Sequence, residues 1–465
     1  EKMLGWACQT DRYDSTQGGK LVVGPVAPPG ERILNAPRAT GLTVDGKLGD
    51  WEALPAREAR IGERSAVMTD AAAGPSLDDL LYPAPPEGAG HFDLRGERFA
   101  NNGLLEAGCS LFPSTGFALL RDRLAEDGLP PLETTCVNLT YGPYGGGHGH
   151  PDKLSVVLYA HGRHLVPDFG SCGYETKEKG TWTAQTISHN TVTVDQVSQY
   201  PTGENQASWP CDTAARQARG FLECFHGDPL LKAVQAWDDS TVAGVHQRRT
   251  LALVEGTLFD FFQLTSDTRH TYDYALHLAP PLKQANVALT PLPEPLGMRL
   301  GYQHLSELRG SEPSAAPLET VWADAAGGLR ITAAPTPGTR LLVARGPTNA
   351  LDKLMPLQIL RREANTTVFA TVLEPLAGTL PGPRWTWTQT GNCLAASEAQ
   401  GTFVAWSPEP SRATSAGAVR FAGLLAAGRL SGPDPAVSLV RGTLLMVGDL
   451  RVTADRPASL HLSLA

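Results

Sequence analysis

The sequence contains no run of about 18 apolar residues, so no segment can cross a bilayer as a helix. It has no basic excess either. Its 39 Lys and Arg stand against 48 Asp and Glu, leaving a formal charge of −9. Without a positive field a surface does not gather phosphates, which excludes nucleic acid as a partner class. A local cationic groove for a polyanion is still compatible with an acidic total. The seven cysteines, at 8, 109, 136, 172, 211, 224 and 393, include no CxxC pair, which excludes a zinc ribbon or finger. Their odd number leaves at least one outside any intrachain pairing, and buried free thiols are expected. The opening EKMLGWACQTDR lacks the charged start, apolar centre and small-residue cleavage site of a secretion signal.

What is present is length, glycine and β-branched residues. A chain of 465 residues is too long for one ordinary core and implies two or three domains. With 48 Gly and 37 Pro punctuating short Val/Leu/Thr runs, the texture is that of a loop-rich β protein. Residues 1–110 read as an irregular N-terminal segment with some helical signal. Within it LTVDGKLGDWEALPAREARI has the pattern of strand, Asp-Gly turn and strand. Residues 111–375 carry strand-length segments such as LFPSTGFALLRD, KLSVVLYAHGRHLVPDFG, HQRRTLALVEGTLFDFFQL and YDYALHLA. Such runs at this spacing predict a mainly β fold, a large antiparallel two-sheet sandwich. The Pro-rich LAGTLPGPRWTW is a joint, after which residues 376–465 form a smaller C-terminal β-sheet.

The chemistry concentrates in residues 139–199. His148 and His150 stand two apart after three glycines, and in an extended segment such positions point to one face. The glycines permit close backbone approach to a ligand. Asp168 ends one strand-like run and His189 opens another. Two imidazoles and a carboxylate on strand ends can offer N, N and O ligands to zinc, leaving a fourth position for water. His270, Tyr272 and His277 in RHTYDYALH fit a strand pattern and are read as structural.

GGGHGHPDKLSVVLYAHGRHLVPDFG followed by SHNTVTVD closely resembles the signature of heparinase II/III-like polysaccharide lyases, with the alginate-lyase and oligoalginate-lyase branches nearest. The resemblance covers residues 100–280 well. It implies β-elimination on a uronic-acid-containing polysaccharide or oligosaccharide, in a periplasmic or secreted setting. It implies His148 as catalytic, and His150, Asp168 and His189 as ligands of one structural zinc ion. An aromatic residue lining the substrate cleft is implied between the aspartate and the last histidine, and Tyr174 or Trp182 could fill that place. Tyr144 and Asn190 complete the candidate substrate-binding residues, although Asn190 is read rather as anchoring a turn or hydrogen-bonding the ligand shell, and Tyr141 and Tyr144 could face the same cavity.

The chain departs from the family at its N-terminal side. The family begins with a helical toroid of several hundred residues, which supplies an asparagine–histidine pair and the catalytic tyrosine, whereas about a hundred Pro/Gly-broken residues precede the sandwich here. The toroid is therefore expected in a partner chain or a missing upstream segment, with a homo-oligomer as a further possibility. The alternative function is a non-catalytic, metal-stabilised carbohydrate-binding sandwich.

Overall fold

Strands Phe117–Arg121 and Cys136–Thr140 bury every second residue, so Ala118, Leu120, Val137 and Leu139 face inward while their neighbours are half-buried. With Ser110–Phe112, Ser155–Ala160 and Arg163–Val166 they make a five-stranded antiparallel meander. The structure is a computed structural model. It describes residues 57–61, 64–68 and 109–464, apart from 114, 123–133, 143–148, 169, 173–175, 200–218, 379–383, 400, 417–418, 433 and 449.

A twelve-stranded sheet is built on two long antiparallel strands, Thr257–His277 and Leu354–Leu376. The sequence pieces ending DFFQL and beginning YDYALH, expected as separate strands, are one strand of 21 residues. The polar TSDTRH between them does not turn the chain. It shifts the register between Thr265 and His270, as a bulge does. Val245–Val254, Leu231–Asp238 and Phe221–Gly227 extend the sheet on one side, and Gly327–Ala333 and Leu318–Asp324 on the other. The short strand Val192–Val194 pairs with Tyr272–Tyr274 and so ties the SHNTV segment to this sheet.

The third sheet has eight strands, from Trp385–Thr390 to Leu450–Ser463. Alternation along the long strand decides which layer each residue meets. Phe259 and Phe261 point towards the eight-stranded sheet, where Phe261 stacks on Trp406 at 5.1 Å and Phe259 meets Trp385 edge-on at 4.7 Å. Asp260 and Phe262 point to the opposite face, which carries the candidate site. The fold is thus mainly β with large antiparallel sheets, as the strand texture implied.

Residues 107–144 with 150–465 form one compact unit, and residues 1–106 with 145–149 another. Of the latter, the hairpin Arg57–Ile61 with Arg64–Met68 is described. It lies at and beyond the end of the stretch read as a hairpin, whose Asp-Gly turn lies outside the described residues. Five cysteines are described, all as free thiols, with Cys109, Cys224 and Cys393 buried. Among the described residues no helix is long and apolar enough to cross a membrane.

Candidate functional site

Two turns distant in sequence are stitched together on the face of the twelve-stranded sheet that carries Asp260. One runs from His150 to Leu154 into strand Ser155–Ala160, and the other from Lys179 to Thr191. Thr186 donates its hydroxyl to Pro151 O at 2.7 Å and Thr191 donates to Lys153 O at 2.9 Å. Gln199 both accepts from Lys153 N at 2.7 Å and donates to Lys153 O at 2.9 Å. Buried backbone groups must be paired, and here side chains pair them across the gap between the turns.

This stitching brings three of the sequence-derived residues together. Asp168 Oδ2 lies 2.8 Å from His189 Nδ1, and the His150 and His189 rings are 5.2 Å apart at 54°. His189 is buried, and its Nε2 faces Thr183 O at 3.2 Å. That carbonyl comes from the single π turn Lys179–Thr183, where Ala184 N bonds to Lys179 O. Asp168 also accepts from Gly170 N at 3.1 Å.

Electrostatics sort the histidines. Burial would lower the pKa of His189, but the Asp168 carboxylate and its hydrogen bond carry it above the ordinary value. With oxygen acceptors at both ring nitrogens, His189 is the imidazolium partner of an ion pair. Burial works against the ionised form of Asp168 as well, and His189 overcomes it, holding the carboxyl well below the usual range. His150 goes the other way, lowered to about 4 by burial and then by His189. His150 is therefore a neutral imidazole at neutral pH.

Neutral imidazole, carboxylate and a second imidazole fit zinc in donor type. Their present arrangement is the protonated one. Zinc bonds of about 2.0–2.2 Å in tetrahedral geometry keep donors about 3.3 Å apart, whereas Asp168 and His189 share a proton at 2.8 Å. Among the described residues no three such groups surround a common point.

Trp182, a candidate for lining the substrate cleft, and Asn190, read as a turn anchor rather than a sugar contact, are both interior. Asn190 donates to Val156 O and Pro167 O, both at 2.9 Å, and its Oδ1 accepts from His277 N at 2.7 Å. It is a clamp between strand ends with no exposed surface. Trp182 has none either. Its indole lies against Gly346, at which a Cβ would stand 2.6 Å from the ring, and it donates to Pro347 O at 2.8 Å. His148, Tyr144 and Tyr174 lie outside the described residues. Tyr141 is described and buried, which raises its phenol pKa and keeps it protonated.

Residues that the spacing did not single out for the site also support it. His277 is buried beneath Asn190, with Nδ1 3.2 Å from Asn190 Oδ1. Arg249, on strand Val245–Val254, donates to Asn190 O. A histidine closing the alternating YDYALH was a signal for the first, and an arginine inside an apolar strand for the second.

The layers and the joined turns define a multilayered β-sandwich protein with a histidine–aspartate centre at its strand ends. Residues 106–333 match the family described as Heparinase II/III-like, C-terminal. This stretch, just under half of the chain, is a domain similar to the C-terminal part of heparinase II/III-like proteins. It is 29% identical over 198 residues to an alginate lyase of Stenotrophomonas maltophilia, covering 38% of this chain and 26% of that protein. It is 28% identical over 258 residues to an exo-oligoalginate lyase of Saccharophagus degradans, covering 50% and 34%. The chain thus spans between a quarter and about a third of the length of these relatives. A heparan sulfate lyase from Pedobacter heparinus aligns in structure over 64% of this chain and 40% of that one, with 13% identity and a TM-score of 0.43.

Proposed function

We propose that this chain is the β-sandwich part of a polysaccharide lyase that cleaves uronic-acid glycosides by β-elimination. The observation that carries this reading is that His150 and His189, one on each stitched turn, come together with Asp168, and that His148 is two residues from His150 in sequence. The matched relatives are alginate and oligoalginate lyases, which favours a polyuronide such as alginate.

In β-elimination a base removes the C5 proton, its electron pair forms the C4–C5 double bond, and the C4–O4 bond breaks with protonation of the departing oxygen. The proton is weakly acidic, so the neighbouring carboxylate must be neutralised or hydrogen-bonded as charge builds up. We assign His148 to act on the sugar at this centre. The remaining acid/base and carboxylate-binding groups belong to a helical wall, in the same or a partner chain. Asn190 and Trp182 are interior and leave the described strands few groups to enclose a sugar. The test is the ultraviolet absorbance of the unsaturated uronate, recorded over a panel of polyuronides with the chain alone and with any chain that co-purifies. Binding without that chromophore on any polyuronide would instead indicate a non-catalytic carbohydrate-binding sandwich.

His150, Asp168 and His189 would hold one zinc ion, which when bound ties three chain segments together. Elemental analysis of protein never exposed to chelator is expected to show about one equivalent, where under about 0.2 would refute the site. Zinc must displace the proton of His189, so affinity measured by chelator competition is expected to rise from pH 6 to pH 8. His150→Ala should abolish this uptake, so that added zinc raises the melting temperature of the parent but not of the variant.

A further inference from the structure

We propose that Arg249 is the positioning residue of the site, a single guanidinium that holds its two turns in register. Its Nη1 donates both to Leu154 O and to Asn190 O, the latter at 2.7 Å. Leu154 is four residues after His150, and Asn190 follows His189. Apart from this contact the two carbonyls are 36 residues apart along the chain, and the guanidinium approaches them from a strand of the main sheet.

The rest of the guanidinium is fixed. Nε donates to Asp260 Oδ1 at 3.0 Å and Nη2 to Asp260 Oδ2. The Phe262 ring lies 5.0 Å from the guanidinium carbon and the Tyr274 ring 5.5 Å. Tyr274 in turn donates to Asp260 at 2.6 Å. Arg249 and Asp260 have no exposed surface. A buried ion pair is weak as a source of stability, since desolvation offsets much of the attraction, so geometry is the better reason for a charge here.

Leu154 shows what is being held. This buried leucine has φ +60, a left-handed conformation that side chains other than glycine disfavour. Its carbonyl meets Arg249, while the backbone N–H and carbonyl of the preceding Lys153 bond to Gln199 and Thr191. A lysine ammonium lacks the planar fork needed to meet Asp260 and both carbonyls together.

The test is Arg249→Lys, with Arg330→Lys as control. Arg330 is also buried and pairs with Glu374 at 3.1 Å elsewhere in the same sheet. Hydrogen exchange of the full chain is read at residues 153–156 and 189–192. Turnover is read in the assembled enzyme, an arm that rests on the lyase reading. Arg249→Lys is expected to raise exchange in both segments at least about tenfold and to lower kcat about 10–100-fold with KM little changed, the scale of a small misplacement of reacting groups. Arg330→Lys is expected to lower the melting temperature without either change. Equal exchange in the two variants, or an unchanged kcat in Arg249→Lys, would overturn the assignment. If the parent enzyme makes no unsaturated product the lyase reading fails, and exchange alone still decides the role of Arg249.

Discussion

Replacing His148 by alanine is expected to lower turnover by about 10²-fold or more, the usual scale for a general acid or base, while fold and metal content stay those of the parent. The expectation rests on the lyase reading, which gives the two histidines different roles. His150 lies against His189 and the Asp168 ion pair, where it is held neutral. A ligand role suits it, because a metal takes the neutral imidazole. His148 is assigned to substrate, with only Gly149 between them. The check is a paired comparison. His148→Ala should keep its zinc and its melting temperature and lose kcat, whereas His150→Ala should lose zinc. If His148→Ala instead loses its metal, the two roles are exchanged or shared.

Acidification is expected to destabilise the metal-free chain well above the pH at which carboxylates protonate. His277 titrates near 6.5 in an unfolded chain, but burial lowers it to about 3 in the folded protein. Folding therefore requires the neutral ring. That contribution is complete above about pH 6.5 and is lost progressively as pH falls towards 3. His150, lowered to about 4 chiefly by burial, acts in the same direction. The Asp168 carboxyl, with its lowered pKa, contributes stability above its unfolded value near 3.9 and loses it only at still lower pH. His189, with its raised pKa, contributes fully below 6.5 and loses its contribution as pH rises through its folded value. Between pH 6.5 and 4.5 the two neutral histidines decide the balance, and the loss is roughly 3–5 kcal/mol. Urea unfolding in the presence of chelator measures it. His277→Asn should reduce the slope by about half, its amide still able to donate to Asn190. A slope unchanged by that variant would show that other groups carry the acid sensitivity.

The residues of the centre could be found without coordinates, because the pattern that marks them is local. Alternation along a strand puts every second residue on one face, and the sequence offered Asp168 and His189 at the ends of strand-like runs. In the structure Asp168 follows strand Arg163–Val166, while His189 ends the short helical turn Thr186–Ser188. The mainly β fold was legible for the same reason. Long-range facts were not. GTLFDFFQL and YDYALH merge into one strand because Leu354–Leu376 pairs along both, and local pattern does not encode a partner some hundred residues away. Trp182 has the composition of a sugar-stacking residue, yet Gly346 leaves room for its ring and Pro347 accepts its N–H, so it is packed inside. Asn190 is spent on strand ends that meet only when the sheets close. Arg249 and His277 look like ordinary members of their strands until sheet register sets them beneath the turns. By itself the sequence determined which side chains have the chemistry and the alternation that forms strands. Tertiary structure alone decided which of them face the centre, since burial and hydrogen-bond pairing depend on how separate sheets pack.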